Sequence, residues 1–369
     1  MIKKTILFLT LLLLILSCDS SDESEDVNVD NFDRGVLLSH LADNIIIPSY
    51  QEFSTKMSDL KSAGQTFVTN PDQANLEAFR NSWLQAYKNW QHVEMFDIGK
   101  ADELLYYFHM NVFPISVTKI EQGIASGNYD LSDSNYHDAQ GFPALDYFLH
   151  GVAPTDMEIL EKYTTSSNAT VYKAYITDIL NKMSDLTTKV SNDWSNGFRD
   201  VFVSSTSNTA TSSLNKIVND YVFYYEKRLR SNKVGIPAGV FSSNPLPEKV
   251  EAFYNQTVSK ELVLESLDVF KDVFEGKYKG NASANRSSFQ QYLQALDRDD
   301  ISSAIINQLA VAKTQLNALN GNFFEQINQD NQKMTQTYDE LQKAVVLLKT
   351  DMLQAFSVNL DYEDGDGDG

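Results

Sequence analysis

The side chains that could do chemistry in this 369-residue chain are charged groups at helical spacing. Glu226, Arg230 and Lys233 step by four and three, so an α-helix would carry a carboxylate and two cations on one face. They lead into residues 235–247, GIPAGVFSSNPLP, which hold three of the eight prolines. Long connections of that kind are often functional when ordered. The bland reading stands beside it: Glu226 and Arg230 form an ordinary i,i+4 pair worth about 0.3–0.5 kcal/mol, and basic residues suit a last turn before Gly235. Trp83, Tyr87, Trp90 and Glu94 recur at steps of four, three and four, which puts Glu94 on an aromatic helix face and turns His92 away from it. The five histidines (His40, His92, His109, His137, His150) form no H-E-x-x-H and no i,i+4 pair. Residues 364–369, DGDGDG, imitate the start of a calcium loop but stop before the distal glutamate such a loop requires, so they read as an acidic disordered tail. There is no Walker loop, no G-x-S-x-G and no G-x-G-x-x-G.

The elements that must position these groups are helices. Gly (16) and Pro (8) are scarce for the length, and no segment alternates apolar and polar residues between tight-turn dipeptides, so no sheet is expected. Asn70-Pro71-Asp72 opens a helix that should run to about Gly99. Thr155 and Glu158 form a capping box. Met334, Tyr338, Leu341, Val345, Leu348 and Met352 make a seam for bundle packing. Residues 123–141 and 235–247 read as loops, and the polar run 204–213 as a linker between two halves, each long enough for a four-helix bundle. Gly141-Phe142-Pro143-Ala144 and Gly235-Ile236-Pro237-Ala238 share a G-x-P-A pattern, one in each half.

The N-terminus carries an address. Lys3 and Lys4 precede an apolar run over residues 5–16, too short to span a bilayer and suited to an export signal. Ile15-Leu16-Ser17-Cys18 resembles a bacterial lipoprotein box that would lipidate Cys18, the only cysteine. The acidic tether that follows resembles surface-export signals of Bacteroidota lipoproteins. The expected location is the cell envelope, at the outer membrane, with the periplasmic and surface faces both open. The net charge of −20 becomes −22 without the signal. Ten of those charges lie in residues 19–26 and 361–369, leaving −12 on the folded body. This acidity excludes a nucleic-acid partner and is no argument for iron.

Residues 90–99 (WQHVEMFDIG), 141–147 (GFPALDY), Tyr225-Glu226 through Lys233-Val234-Gly235-Ile236-Pro237, and the closing DYEDGDGDG together resemble the imelysin-like proteins, formerly peptidase M75. The resemblance runs through the mature chain in order. It implies an all-α fold of two similar four-helix bundles, a functional site at their interface, an envelope location and a link to bacterial iron uptake. It also implies a G-x-H-x-x-E motif, which reads Gly141-Phe142-Pro143-Ala144-Leu145-Asp146 here. A His and Glu three apart could share a metal ion, but proline has no ligand atom and Asp146 is one methylene shorter than glutamate. Asp146 also has a structural reading, as an acid near a helix N-terminus.

The resulting expectation is a signal peptide over 1–17, an acidic tether over 18–30, helical bundles over 31–203 and 214–358 joined by 204–213, and a tail over 359–369. Glu94, Asp146 and Glu226 would supply oxygen donors in a charged pocket between bundles, a set suited to ferric iron or another hard cation. Arg230 and Lys233 would balance them or bind an anionic ligand. The function expected is a non-catalytic binding or accessory role in uptake of iron or an iron chelate, membrane-attached through Cys18 and working with an outer-membrane transporter. Two rivals are a divergent zinc metallopeptidase and a helical adaptor docking on such a transporter.

Overall fold

Stretches poor in glycine and proline become long helices in the computed structural model, which describes residues 31–283 and 286–362. The signal segment, Cys18, the tether and the DGDGDG tail lie outside the described residues. Asp33 caps α1 (Arg34–Leu41) by accepting the Val36 N–H, and a widened turn (Ala42–Ile46) leads into α2 (Ile47–Thr69). Asn70 and Pro71 break the chain, and Asp72 caps α3 (Gln73–Trp90) through the Asn75 N–H at 2.8 Å.

Helix α3 ends at Trp90, well short of the expected stop near Gly99. The Gln91 side-chain amide takes over the Tyr87 carbonyl at 3.1 Å, and the backbone N–H groups of Gln91, His92 and Val93 turn tightly onto the carbonyls of Lys88, Asn89 and Trp90. Arg228 then holds the Glu94 carbonyl, beyond the helix, at 2.8 Å. Glu94 therefore sits in a buried turn beyond the helix.

Helix α4 (Val117–Ser126) and a 3₁₀ turn (Ser134–Ala139) occupy much of the stretch read as a loop. Helix α5 (Gly141–Asp146) follows, then α6 (Asp156–Thr164), opened by the expected Thr155–Glu158 capping box, and α7 (Ala169–Asp193). Helices α2, α3 and α7 pack together over Phe53, Trp83 and Trp90, while α5 lies against α3 and α7. The Phe142 ring stacks on Tyr87 at 4.6 Å, and the Phe142 carbonyl accepts from the Trp83 indole at 3.0 Å.

Helical structure resumes at α8 (Ser213–Phe223), which continues as a π-helical stretch, Tyr224–Gly235, of twelve residues. Helices α9 (Ser259–Glu275), α10 (Asp299–Ala318) and α11 (Phe323–Val346) complete a second group. The predicted seam from Met334 to Met352 is buried throughout. A two-residue ribbon, β1 (Lys277–Tyr278) with β2 (Asn281–Ala282), is the exception to the expectation of no sheet. The residues from Asp33 onward form one compact unit in which both helical groups share an interface, and the fold is all-α. The first residues of the predicted tail are tied down, since Asn219 donates to the Asn359 carbonyl and accepts the Asp361 N–H.

Candidate functional site

The π-helical stretch decides which charges meet. Its i→i+5 bonding lays about 4.4 residues in a turn where an α-helix has 3.6. Residues seven apart are nearly in phase on an α-helix but roughly one and a half turns apart on this stretch. Glu226 and Arg230 consequently face one side, while Lys233 turns to the other together with Arg228. All four are buried. The predicted face of Glu226, Arg230 and Lys233 is therefore split in two.

On the first side, the Lys233 ammonium is 1 % exposed and bonds both oxygens of Glu251 at 2.7 and 2.8 Å, with a third bond to the Gln91 side-chain oxygen at 2.9 Å. Glu94 Oε2 lies 3.7 Å from the same nitrogen. The Asn111 amide bridges the two carboxyls, donating to Glu94 Oε1 at 3.2 Å and Glu251 Oε1 at 3.0 Å. The Tyr87 hydroxyl lies 2.6 Å from Asn111 Oδ1 and 3.0 Å from Glu251 Oε1, and its one proton serves either. Ser266 donates to Gln91 at 2.7 Å. Tyr87, Gln91, Glu94 and Asn111 come from the first helical group, while Lys233, Glu251 and Ser266 come from the second half of the chain.

The two glutamates are unequal. Glu251 accepts from Lys233, Tyr87 and Asn111, whereas Glu94 Oε2 is buried without a hydrogen bond. Burial raises the Glu94 pKa; Lys233 opposes that shift and Glu251 adds to it. Lys233 is therefore held chiefly by Glu251, with Glu94 the more distant carboxyl. Beside this network, Arg228 pairs with Asp97 at 2.6 Å and lies over the Tyr107 ring at 3.8 Å.

On the opposite side of the π stretch, Glu226 meets Lys349 at 3.2 Å and Lys227 at 2.9 Å, and accepts from Tyr362 at 2.6 Å. The Arg230 guanidinium approaches it at 3.8 Å and bonds the Tyr338 hydroxyl at 2.8 Å and the Gln342 amide oxygen.

Asp146 occupies a third setting. Gly141 starts α5 with φ +77, and a Cβ there would lie 2.3 Å from the Met110 carbonyl oxygen, so only glycine fits. Asp146 lies at the other end of that short helix, so the expected role at a helix N-terminus does not apply. Its oxygens accept the backbone N–H groups of Tyr254 at 2.8 Å and Asn255 at 3.0 Å. Burial pushes its pKa up to about 7 against the pull of those two bonds. Pro143 and Asp146 line a cleft of about 310 Å³ together with Phe113, Pro114 and Ile115 from one segment and Val250, Phe253 and Tyr254 from another.

The structure thus brings Glu94 and Lys233 together and places Glu226 with Arg230 and Asp146 in two other settings. Among the described residues, no three His, Cys, Asp or Glu side chains gather where a metal ion could sit. The oxygen-donor set of Glu94, Asp146 and Glu226 does not fit a side-chain-held iron or zinc ion. Asp146 is occupied by backbone amides and Glu226 by cations and a phenol, while Glu94 faces Lys233. Glu251, Asn111, Gln91 and Arg228 complete the charged interface and carry no periodic signal that would have selected them. Only the π geometry makes Arg228 a neighbour of Lys233.

Residues 46–352 match the model of the Imelysin (Peptidase M75) family. A segment of 107 residues is 30% identical to "Iron-regulated protein A" of Synechococcus elongatus, and that match spans 29% of each chain. Two solved structures share the fold at 16% identity. An imelysin-like protein from Psychrobacter arcticum has a TM-score of 0.68 over 89% of this chain and 97% of its own. An iron-regulated protein A precursor, provisionally so named, from Parabacteroides distasonis has a TM-score of 0.69 over 87% and 95%.

Proposed function

The chain belongs to the imelysin family, and from that premise we propose that it is a non-catalytic binding component of iron acquisition in the bacterial envelope. Anchored through Cys18 at the outer membrane, it would hand an iron chelate to a transporter, or hold one for it. The names of the cyanobacterial and Parabacteroides relatives support the link to iron.

The observation that carries the binding role is the state of the motif residues in the cleft. Pro143 supplies a wall without a ligand atom, and both Asp146 oxygens accept backbone amides of the facing loop. These groups shape a receptacle and pin its far side; they do not assemble a nucleophile, a base or a metal centre. The buried network of Lys233, Glu251, Asn111 and Glu94 joins the helical groups beside that loop, because Glu251 and the Asp146 partners are only a few residues apart.

The test is a thermal melt of the full-length protein in detergent with ferric citrate, ferrioxamine B, haem and zinc, alongside a peptide-hydrolysis assay. A ligand that prefers the native state raises the melting temperature. The expected outcome is a rise with at least one iron chelate and no hydrolysis. Stoichiometric zinc retained with peptide cleavage would overturn the proposal in favour of a metallopeptidase.

A further inference from the structure

The sign of charge in the cleft bears on which chelate it can receive. Its walls are apolar and aromatic, with Phe113, Pro143, Phe253 and Tyr254 among them. Two carboxyl groups line it, Glu248 and Asp146; no Lys, Arg or His does so among the described residues. Glu248 stands at the exposed rim and makes no ion pair among the described residues, whereas Asp146 is buried beneath. The buried cation of the interface, Lys233, faces Glu251. At about 310 Å³ the cleft lies at the lower limit of small-molecule sites, enough for one arm of a ligand and too small for a whole chelate.

The donor inventory points the same way. The candidate carboxylates are each engaged by amides, cations or a phenol, so iron would reach this protein already coordinated by another molecule. The protein then recognises the periphery of that molecule. An acidic cleft with apolar walls suits a methylene chain ending in an ammonium group: the chain packs on the rings and prolines while the ammonium meets Glu248. It disfavours carboxylates and phenolates, which would approach Glu248 with like charge.

We infer that this cleft receives the protonated-amine arm of a ferric chelate, so that the ligand class is a cationic hydroxamate-type chelate and not an anionic citrate or catecholate one. Three hydroxamates neutralise ferric iron, and a free terminal amine leaves such a complex with one positive charge. Ferric citrate and ferric tris-catecholate are anions. The inference rests on the iron-chelate reading above and narrows it.

The experiment titrates the full-length protein, in detergent, with ferrioxamine B, with its N-acetyl derivative and with ferric citrate, following tryptophan fluorescence and calorimetry. Acetylation removes the charge of the arm and leaves the iron coordination untouched. One partly exposed carboxylate near an ammonium predicts about tenfold tighter binding of ferrioxamine B than of the acetylated form. Glu248→Gln, at an exposed position where folding is not at risk, should bring that ratio close to one while leaving the acetylated form unaffected. Raising the salt should compress the ratio in the wild type. Equal binding of the amine and acetylated forms by the wild type would overturn the charged-arm inference and leave the chelate reading standing. Preference for ferric citrate would overturn it through the wrong sign. Failure of all three, with no rise in melting temperature from any iron species, would remove both.

Discussion

Glu251→Gln and Glu94→Gln are the same chemical change at neighbouring positions, yet the structure predicts very different costs. The Glu251 carboxylate receives two bonds from Lys233 and further donors from Tyr87 and Asn111. A glutamine there keeps one acceptor and turns an amide N–H₂ towards groups that are themselves donors. It also leaves the Lys233 ammonium, 1 % exposed, with only the more distant Glu94 as a counter-charge. Breaking a buried pair in this way costs about 3–5 kcal/mol. Glu94, by contrast, has an oxygen without a hydrogen bond and a pKa raised by burial, so replacing its carboxyl by an amide forfeits less. Its replacement should cost about 1 kcal/mol or less. For a chain of this size the difference amounts to roughly 3–7 °C in melting temperature. Circular dichroism melts and urea unfolding of both variants, at neutral pH and matched concentration, measure it directly. A Glu94 variant as damaged as the Glu251 variant would refute the asymmetry.

Two further outcomes are expected. Asp146 has a folded pKa near 7, above the value of about 3.9 for an unfolded aspartate. Its contribution is therefore fully present below about pH 4 and is lost as pH rises to 7, by up to about 4 kcal/mol relative to Asp146→Asn. Melting temperatures of the two proteins from pH 4 to 8 test this, and a difference that stays flat across that range would contradict it. Gly141→Ala combines an unfavourable positive φ with a Cβ 2.3 Å from the Met110 oxygen, so it should destabilise by about 3 kcal/mol or more in a urea titration. A loss within 0.5 kcal/mol would show that α5 can shift to make room.

Much of the scaffold could be read from local chemistry. The Thr155 capping box and the 334–352 seam depend only on short-range spacing, and both are present. The ordered set of segments around residues 90–99, 141–147 and 225–237 was enough to identify the family. The site was legible only in fragments. Periodicity arguments assume 3.6 residues per turn, and the stretch bearing Glu226, Arg228, Arg230 and Lys233 does not obey it. Glu251 lies in an irregular segment where no repeat marks it, and its partners are distant in sequence. The turn beyond Trp90 was hidden for a related reason: it is held by Arg228, more than a hundred residues away.

The loop from Val250 to Thr257 has a mechanical consequence. Glu251 is fastened to the first helical group by Tyr87 and Asn111, and the Tyr254 and Asn255 amides are fastened to it by Asp146. The loop thus acts as a double bolt across the interface. The helical groups cannot swing apart like jaws without extracting a buried carboxylate at one bolt and stripping another at the second. Opening of the cleft is left to small rotations of its rim, so capture and release should proceed on a rigid frame at rates set by side-chain motion and not by a hinge.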